Sequence, residues 1–196
     1  MKKLKKIMIA ATLSIGVLAL PNMADAASYK VQSGDSFWKI SNKFGVPLSS
    51  LLSTNNRTGS MLYAGETLII PDTVTNAEKD LMARLVHAEA KGESYAGKVA
   101  VATVILNRVD HKEFPNTINS VINQRSAGGY YAFTPIQNGA INKPANAEAK
   151  RAVNEAIAFR GQGSGSLYFY NPETAKSKWI LSREVTTTIG NHRFAK

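Results

Sequence analysis

The hydrophobic pattern divides the chain into stretches with different periods. From Ile7 to Leu20 the sequence is almost wholly apolar and has no period. Tyr29-Lys30-Val31 then alternates, as a strand does. Phe37, Ile40 and Phe44 recur at helical spacing, and Leu48, Leu51 and Leu52 mark a second short helix. Gly34-Asp35 makes a turn before the first helix, Ser36 can cap it, and Gly45-Val46-Pro47 ends it. Tyr63-Ala64-Gly65 is a turn, and Thr67-Leu68-Ile69-Ile70 is a strand closed by Pro71. The expected order is β-α-α-β over residues 28–71.

Beyond a short polar connector at 72–76, helical periods take over. Thr75-x-x-Glu78 is a capping-box pattern. The helix it opens sets Leu81, Leu85 and Glu89 at steps of four, with Met82 and Val86 beside them, and Lys91-Gly92 ends it. Val99 to Leu106 is apolar almost all round and reads as a buried central helix ending at Asn107-Arg108. A short helix with Ile118, Val121 and Ile122 follows, then a loop from Gly128 to Pro135. Ala147 to Phe159 is amphipathic and is stopped by Gly161. Leu167 to Tyr170 and Val185 to Ile189 read as strands. Residues 77–196 should therefore form a second, mainly helical domain with a small late sheet, and the class is α+β.

Composition narrows the chemistry. The 196 residues contain no Cys, which removes disulfides, Cys-ligated metals and a cysteine nucleophile. The basic start (Lys2, Lys3, Lys5, Lys6), the apolar run, Pro21 and the small residues of Ala24-Asp25-Ala26 have the order of a secretory signal cut after Ala26. Without residues 1–26, which hold four Lys and one Asp, the formal charge falls from +10 to +7. The run is shorter than the ~18 to 20 apolar residues that a span needs, so no stable membrane anchor is expected. A basic, exported chain without Cys suits the outside of a Gram-positive bacterium, whose wall polymers are anionic possible partners. Export argues against a nucleic-acid partner.

Glu89 is the residue that stands out chemically. It falls on the apolar stripe of its helix, where desolvation disfavours the charged form and raises the pKa. A carboxylic acid kept protonated near neutrality is what a general acid needs. A structural Glu held by a buried Arg or Lys fits the same pattern. Glu93, after Gly92, is expected to be exposed or to orient a substrate. His87, His111 and His192 lack zinc-ligand spacing, so no metal and no cofactor is expected. Gly161-x-Gly163-x-Gly165 follows a helix and lacks a following Lys, unlike a phosphate loop. No Gly-x-Ser-x-Gly elbow exists.

Tyr29, Val31, Gly34-Asp35-Ser36, Ile40, Leu51, Asn55, Gly65, Leu68 and Ile70-Pro71 together make residues 28–71 resemble a LysM domain. Phe37 departs from the family, which more often has Leu there. The resemblance implies a glycan-binding groove between two loops, here by position Gly34, Asp35, Ser36 and Phe37 on one side and Leu62, Tyr63 and Gly65 on the other. Phe37, Trp38 and Tyr63 are each equally readable as core residues in so small a module.

A second resemblance runs through Leu85 to Glu93, Val99 to Val109, Ala132-Phe133-Thr134-Pro135, Phe169-Tyr170-Asn171-Pro172 and Ile189 to Phe194. In family order these residues resemble the SleB/CwlJ cell-wall hydrolases, the spore-cortex-lytic enzymes and their vegetative relatives. Arg125 to Tyr131 departs from the shorter link usual in that family. The resemblance implies a lysozyme-like fold, peptidoglycan glycan strands as substrate, and a single catalytic Glu, which falls on Glu89. Glu93 is the alternative carboxyl. Phe133, Thr134, Tyr168 and Asn171, with Glu93, are the expected substrate contacts. The expected activity is a lytic transglycosylase cutting between N-acetylmuramic acid and N-acetylglucosamine, located in the cell wall or spore envelope. A hydrolytic muramidase or glucosaminidase, or a non-catalytic wall-binding protein, are the other readings.

Overall fold

The computed structural model describes residues 27–126 and 128–196. The leader expected at 1–26 lies outside them. Strand β1 (Ala27–Lys30) pairs antiparallel with β2 (Thr67–Ile70), Tyr29 opposite Leu68. Helices α1 (Phe37–Phe44) and α2 (Leu48–Thr54) lie between them in sequence. Ser36 caps α1 by accepting the Lys39 N–H at 3.2 Å. Asn55 ties the end of α2 to β2, accepting from the Ile69 N–H at 2.8 Å and donating to its carbonyl at 2.7 Å. Val31, Phe37, Ile40, Val46, Leu51, Leu68 and Ile70 close a core of their own.

The larger part begins with α3 (Asn76–Glu89). Its capping box is complete: Glu78 N–H donates to Thr75 Oγ1 at 3.3 Å, and Thr75 N–H donates to the Glu78 carboxylate at 2.9 Å. Val74, inside the stretch expected to be a polar connector, is buried in this second core. Helix α4 (Tyr95–Asp110) starts four residues before the apolar run because Ser94 caps it, accepting from the Gly97 N–H at 3.3 Å. Short helices α5 (Ile118–Ile122) and α6 (Thr134–Gln137) follow, then α7 (Ala147–Ala158). Met82, Leu85 and Val86 of α3, Val101 and Ile105 of α4, and Val153 and Ile157 of α7 meet in the centre.

The late sheet has the order β3-β5-β4, all antiparallel, from β3 (Tyr168–Tyr170), β4 (Val185–Ile189) and β5 (His192–Ala195). A short α8 (Lys178–Leu181) lies between β3 and β4. Strand β5, absent from the sequence reading, is the central one. Its residues His192-Arg193 look polar, yet Phe194 and Ala195 are buried, Phe194 as a member of the larger core.

The two parts touch. The Trp38 ring of α1 packs on Phe159 at the end of α7, with centroids 4.1 Å apart. Lys79 Nζ donates to the Phe44 carbonyl at 2.7 Å. Gly45 ends α1 at φ 58°, and a Cβ there would lie 2.5 Å from Asn154 Oδ1. Trp38 is thus an interface residue. Trp38→Ala is expected to lower the stability of the whole chain by about 1–3 kcal/mol, less than a fully enclosed Trp would cost. Calorimetry of the full chain checks this, and an unchanged melting profile would show that the ring contributes nothing to the contact.

Candidate active site

Glu89 is the last residue of α3, where the chain turns towards α4. Its neighbours Leu85, Val86 and Ala90 are fully buried, so the carboxyl sits against apolar groups. Burial pushes its pKa up to about 7. A backbone hydrogen bond from Thr134 and the charge of Arg108 oppose the shift without cancelling it. At neutral pH, protonated and ionised Glu89 are therefore both populated, the condition for a group that gives up and recovers a proton.

Arg108 is the second element of the site. It comes from the last turn of α4 and is only 7% exposed. Its Nε–H donates to the Leu167 carbonyl at 2.7 Å. Its guanidinium lies 5.1 Å from the Phe114 ring, 5.0 Å from Phe133 and 5.5 Å from Tyr168. Desolvation lowers its pKa to about 10, so it remains a cation at neutral pH.

From Arg108 a groove of about 430 Å³ opens outward. Phe114, Tyr130, Tyr131, Tyr168, Phe169 and Trp179 line it, together with Arg125. Trp179 meets Tyr168 edge to face at 5.0 Å and carries Arg183 4.3 Å above its ring. A larger hollow of about 490 Å³ lies on a different face of α4, along Tyr95, Val99 and Thr103. Its only carboxyl, Glu155, is bonded by the Tyr95 hydroxyl at 2.7 Å, so it offers no comparable acid.

The residues expected around Glu89 separate into three groups. Tyr168 lines the groove. Thr134 is exposed and acts on Glu89 through its backbone N–H. The other expected contacts have different employment. Phe133 is 2% exposed and forms the floor beneath Arg108, so its ring is not open to a ligand. Asn171 accepts the Glu173 N–H at 2.9 Å, closing a turn after β3, and does not line the groove. Glu93 is not exposed as expected: its side chain is 7% accessible. It accepts the Asn191 N–H at 3.2 Å and approaches His192 Nδ1 at 3.8 Å, bracing the α3–α4 turn against the β4–β5 hairpin.

In the small module, Asp35 accepts from the Tyr29 hydroxyl at 2.7 Å and from the Gln32 N–H at 2.9 Å. These bonds, the backbone one first, hold its carboxyl below the usual range. Gly34 and Gly65 adopt φ of 83° and 94°, which only glycine takes readily. Ser36 is occupied as the helix cap. Phe37, expected at the glycan, is 4% exposed and belongs to the core, because a module this small encloses its aromatics. Leu62 packs on the edge of that core. Tyr63 is 61% exposed on the second loop.

A family model described as Cell Wall Hydrolase matches residues 92–195, just over half of the chain, and a LysM domain model matches residues 29–71. The chain belongs to the cell wall hydrolase family. A spore cortex-lytic enzyme of Bacillus cereus is 42% identical over 127 residues, 65% of this chain and 47% of that protein. One of Bacillus subtilis is 39% identical over 127 residues, 65% of this chain and 40% of that protein. The chain thus spans less than half the length of these curated relatives. Among solved structures, the catalytic domain of the germination-specific lytic transglycosylase SleB from Bacillus anthracis aligns at 42% identity with a TM-score of 0.57. That alignment covers 65% of this chain and all of that domain.

Within this cell wall hydrolase, Arg108, Phe114, Arg125 and Trp179 are groove residues to which sequence reasoning gave no role. Arg108 had a signal, a cation at the end of a helix that is apolar all round. Trp179 had none beyond its type. Among the described residues, no group of three or more His, Asp or Glu side chains could hold a metal ion, and no helix is long and apolar enough to cross a membrane.

The Glu93 brace depends on Gly190, where a Cβ would lie 2.1 Å from Glu93 Oε2. Gly190→Ala is expected to destabilise by about 2 kcal/mol or more, through the clash and the φ of 58°. Glu93→Gln keeps a hydrogen-bond acceptor for the Asn191 N–H and should retain most turnover. Loss of turnover in Glu93→Gln with an unchanged melting temperature would instead make Glu93 a substrate or acid residue.

Proposed function

We propose that this cell wall hydrolase is exported to the wall or spore envelope and cleaves peptidoglycan glycan strands as a lytic transglycosylase. The observation that carries the reading is a carboxyl protonated near neutrality that feels the charge of Arg108, while the groove opening from Arg108 is lined by no carboxylate. The other acids near these elements are engaged: Asp110 pairs with Arg160 at 2.6 Å and Glu93 braces the hairpin. Glycosidases that use a second carboxyl, as base or nucleophile, hold it ~5 to 9.5 Å from the acid. The relatives named as spore cortex-lytic enzymes and as a lytic transglycosylase support the same substrate class.

In this mechanism Glu89 donates its proton to the oxygen bridging N-acetylmuramic acid and N-acetylglucosamine. The C1–O bond breaks, and positive character grows at the muramic C1. The C6 hydroxyl oxygen of the same sugar bonds to C1, and its proton returns to Glu89. No water is consumed, and the product ends in a 1,6-anhydro ring. Groove aromatics such as Tyr168 and Trp179 offer faces for the sugar rings. Arg108 stabilises the carboxylate that exists between the two proton transfers. The LysM module holds the strand through the backbone groups of its two loops, with Tyr63 beside them.

Mass spectrometry of the products tests this. Ends lighter by one water than a reducing sugar are expected. Reducing ends alone would replace the transglycosylase by a hydrolytic muramidase or glucosaminidase. Binding to intact walls without any release of fragments would leave only a wall-binding protein.

A further inference from the structure

We infer that the groove opening from Arg108 contains a carboxylate subsite, formed by Arg125 on its Tyr131 platform together with Arg108. Its ligand class is a β-1,4-linked amino-sugar strand that carries free carboxylates. The inference rests on the glycan-cleaving reading above and specifies which strands the groove prefers.

The charged residues that line the groove are both arginines. Among the described residues neither forms a salt bridge. Arg108 has one hydrogen bond, through Nε, so its terminal nitrogens remain for a ligand. While Glu89 is protonated, it supplies Arg108 with no counter-charge.

Arg125 is held in a different way. Its guanidinium lies 4.2 Å above the Tyr131 ring and donates to the Tyr131 hydroxyl. The two residues also pair through their backbones in an isolated antiparallel bridge. Much of the rotamer entropy of a free Arg is thereby already lost, which favours binding by a fixed cation.

A neutral sugar strand has hydroxyl and acetamido groups, which neutral donors would serve as well. Two cations line one groove, Arg125 with no carboxylate partner and Arg108 with only Glu89 while that carboxyl is ionised, and both favour an incoming anion. A carboxylate is the anion that matches the planar fork of an Arg. On a peptidoglycan strand it has two sources. One is the lactyl carboxyl of muramic acid, which is free where the stem peptide has been removed. The other is a carboxylate of the stem peptide itself. If the lactyl group is the source, an amide-hydrolysing reaction that frees it must act before this enzyme.

The test uses the full chain and strands of equal length in three forms: peptide-free with lactyl carboxylates, peptide-free with those carboxyls converted to methylamides, and peptide-bearing. KM and kcat are read separately. KM for the carboxylate form is expected to be about tenfold below that for the methylamide, the size of one good charged contact. In Arg125→Gln the two KM values should converge, and in Arg125→Lys part of the difference should return. A melting temperature equal to that of the parent shows that the exposed Arg125 has not been replaced at the expense of the fold. A lowest KM on peptide-bearing strands, lost when their peptide carboxyls are amidated, assigns the stem as the source. Equal KM on all three strands overturns the subsite and leaves glycan cleavage standing. Cleavage of none of them overturns the cleavage reading and the subsite with it.

Discussion

Glu89→Gln is expected to reduce strand cleavage by about 10² to 10⁴, the contribution of a positioned general acid. It should also make the protein more stable at alkaline pH. The folded-state pKa is raised from 4.5 to about 7 by burial. A raised pKa means that folding favours the protonated form. The contribution is complete below about pH 4.5 and is lost as pH rises through about 7. Above pH 7 the buried charge costs on the order of 3 kcal/mol relative to an unfolded Glu. Gln never ionises, so the variant should melt higher than its parent at pH 8 and close to it at pH 4.5. Parental activity should fall as pH rises through about 7, because the acid form disappears. Full turnover in Glu89→Gln would end the assignment, whatever the melting data show.

Arg108→Met is the second large effect. Arg108 lowers the pKa of Glu89. Without it, the alkaline limb of the activity profile should move to higher pH. At the same time kcat should fall by about 10- to 100-fold, since the carboxylate formed in mid-reaction loses its cation. A merely structural Arg would reduce the amount of folded enzyme and leave the pH limb in place. Stability should drop by about 1–3 kcal/mol, as the Leu167 carbonyl loses its donor and three aromatic rings lose their cation. Arg108→Lys retains the charge but not the Nε contact, so it should restore the pH limb more than the stability. A pH profile identical to the parent in both variants would show that Arg108 does not act on Glu89.

The two outcomes separate the roles of Glu89 and Arg108. Gln at position 89 removes the proton itself, whereas Met at position 108 leaves the proton and changes how readily it moves. Glu93 serves as the internal contrast. It is a carboxyl four residues from Glu89 and is held by a backbone N–H within a brace.

Much of the helical framework was legible because its signals are local. The Thr75–Glu78 box, the Ser36 cap and the stripe Leu81-Leu85-Glu89 each depend on residues within a few positions. The same holds for β4, predicted at Val185 to Ile189 and found there. Strand β5 was missed because its pattern depends on neighbours from both sides of a sheet, which no local period shows.

The site was less legible. Glu89 could be chosen from its helix face, since a carboxyl on an apolar stripe is desolvated wherever the helix packs. Phe133 and Asn171 carried no local sign of being a floor and a turn. Glu93 looked like a surface residue after a glycine. Its side chain is enclosed because a hairpin about one hundred residues later folds over it.

What the sequence by itself determined is therefore the longer helices, strands β1 to β4, their order, and a carboxyl placed on an apolar helix face. Short-range hydrogen bonds and helical spacing suffice for that. Only the tertiary structure decided what surrounds that carboxyl. It brought Arg108, Tyr168 and the Arg125–Tyr131 pair to one groove and set Trp38 against Phe159. Those contacts join residues far apart in the chain, and their energies exist only once the core has closed.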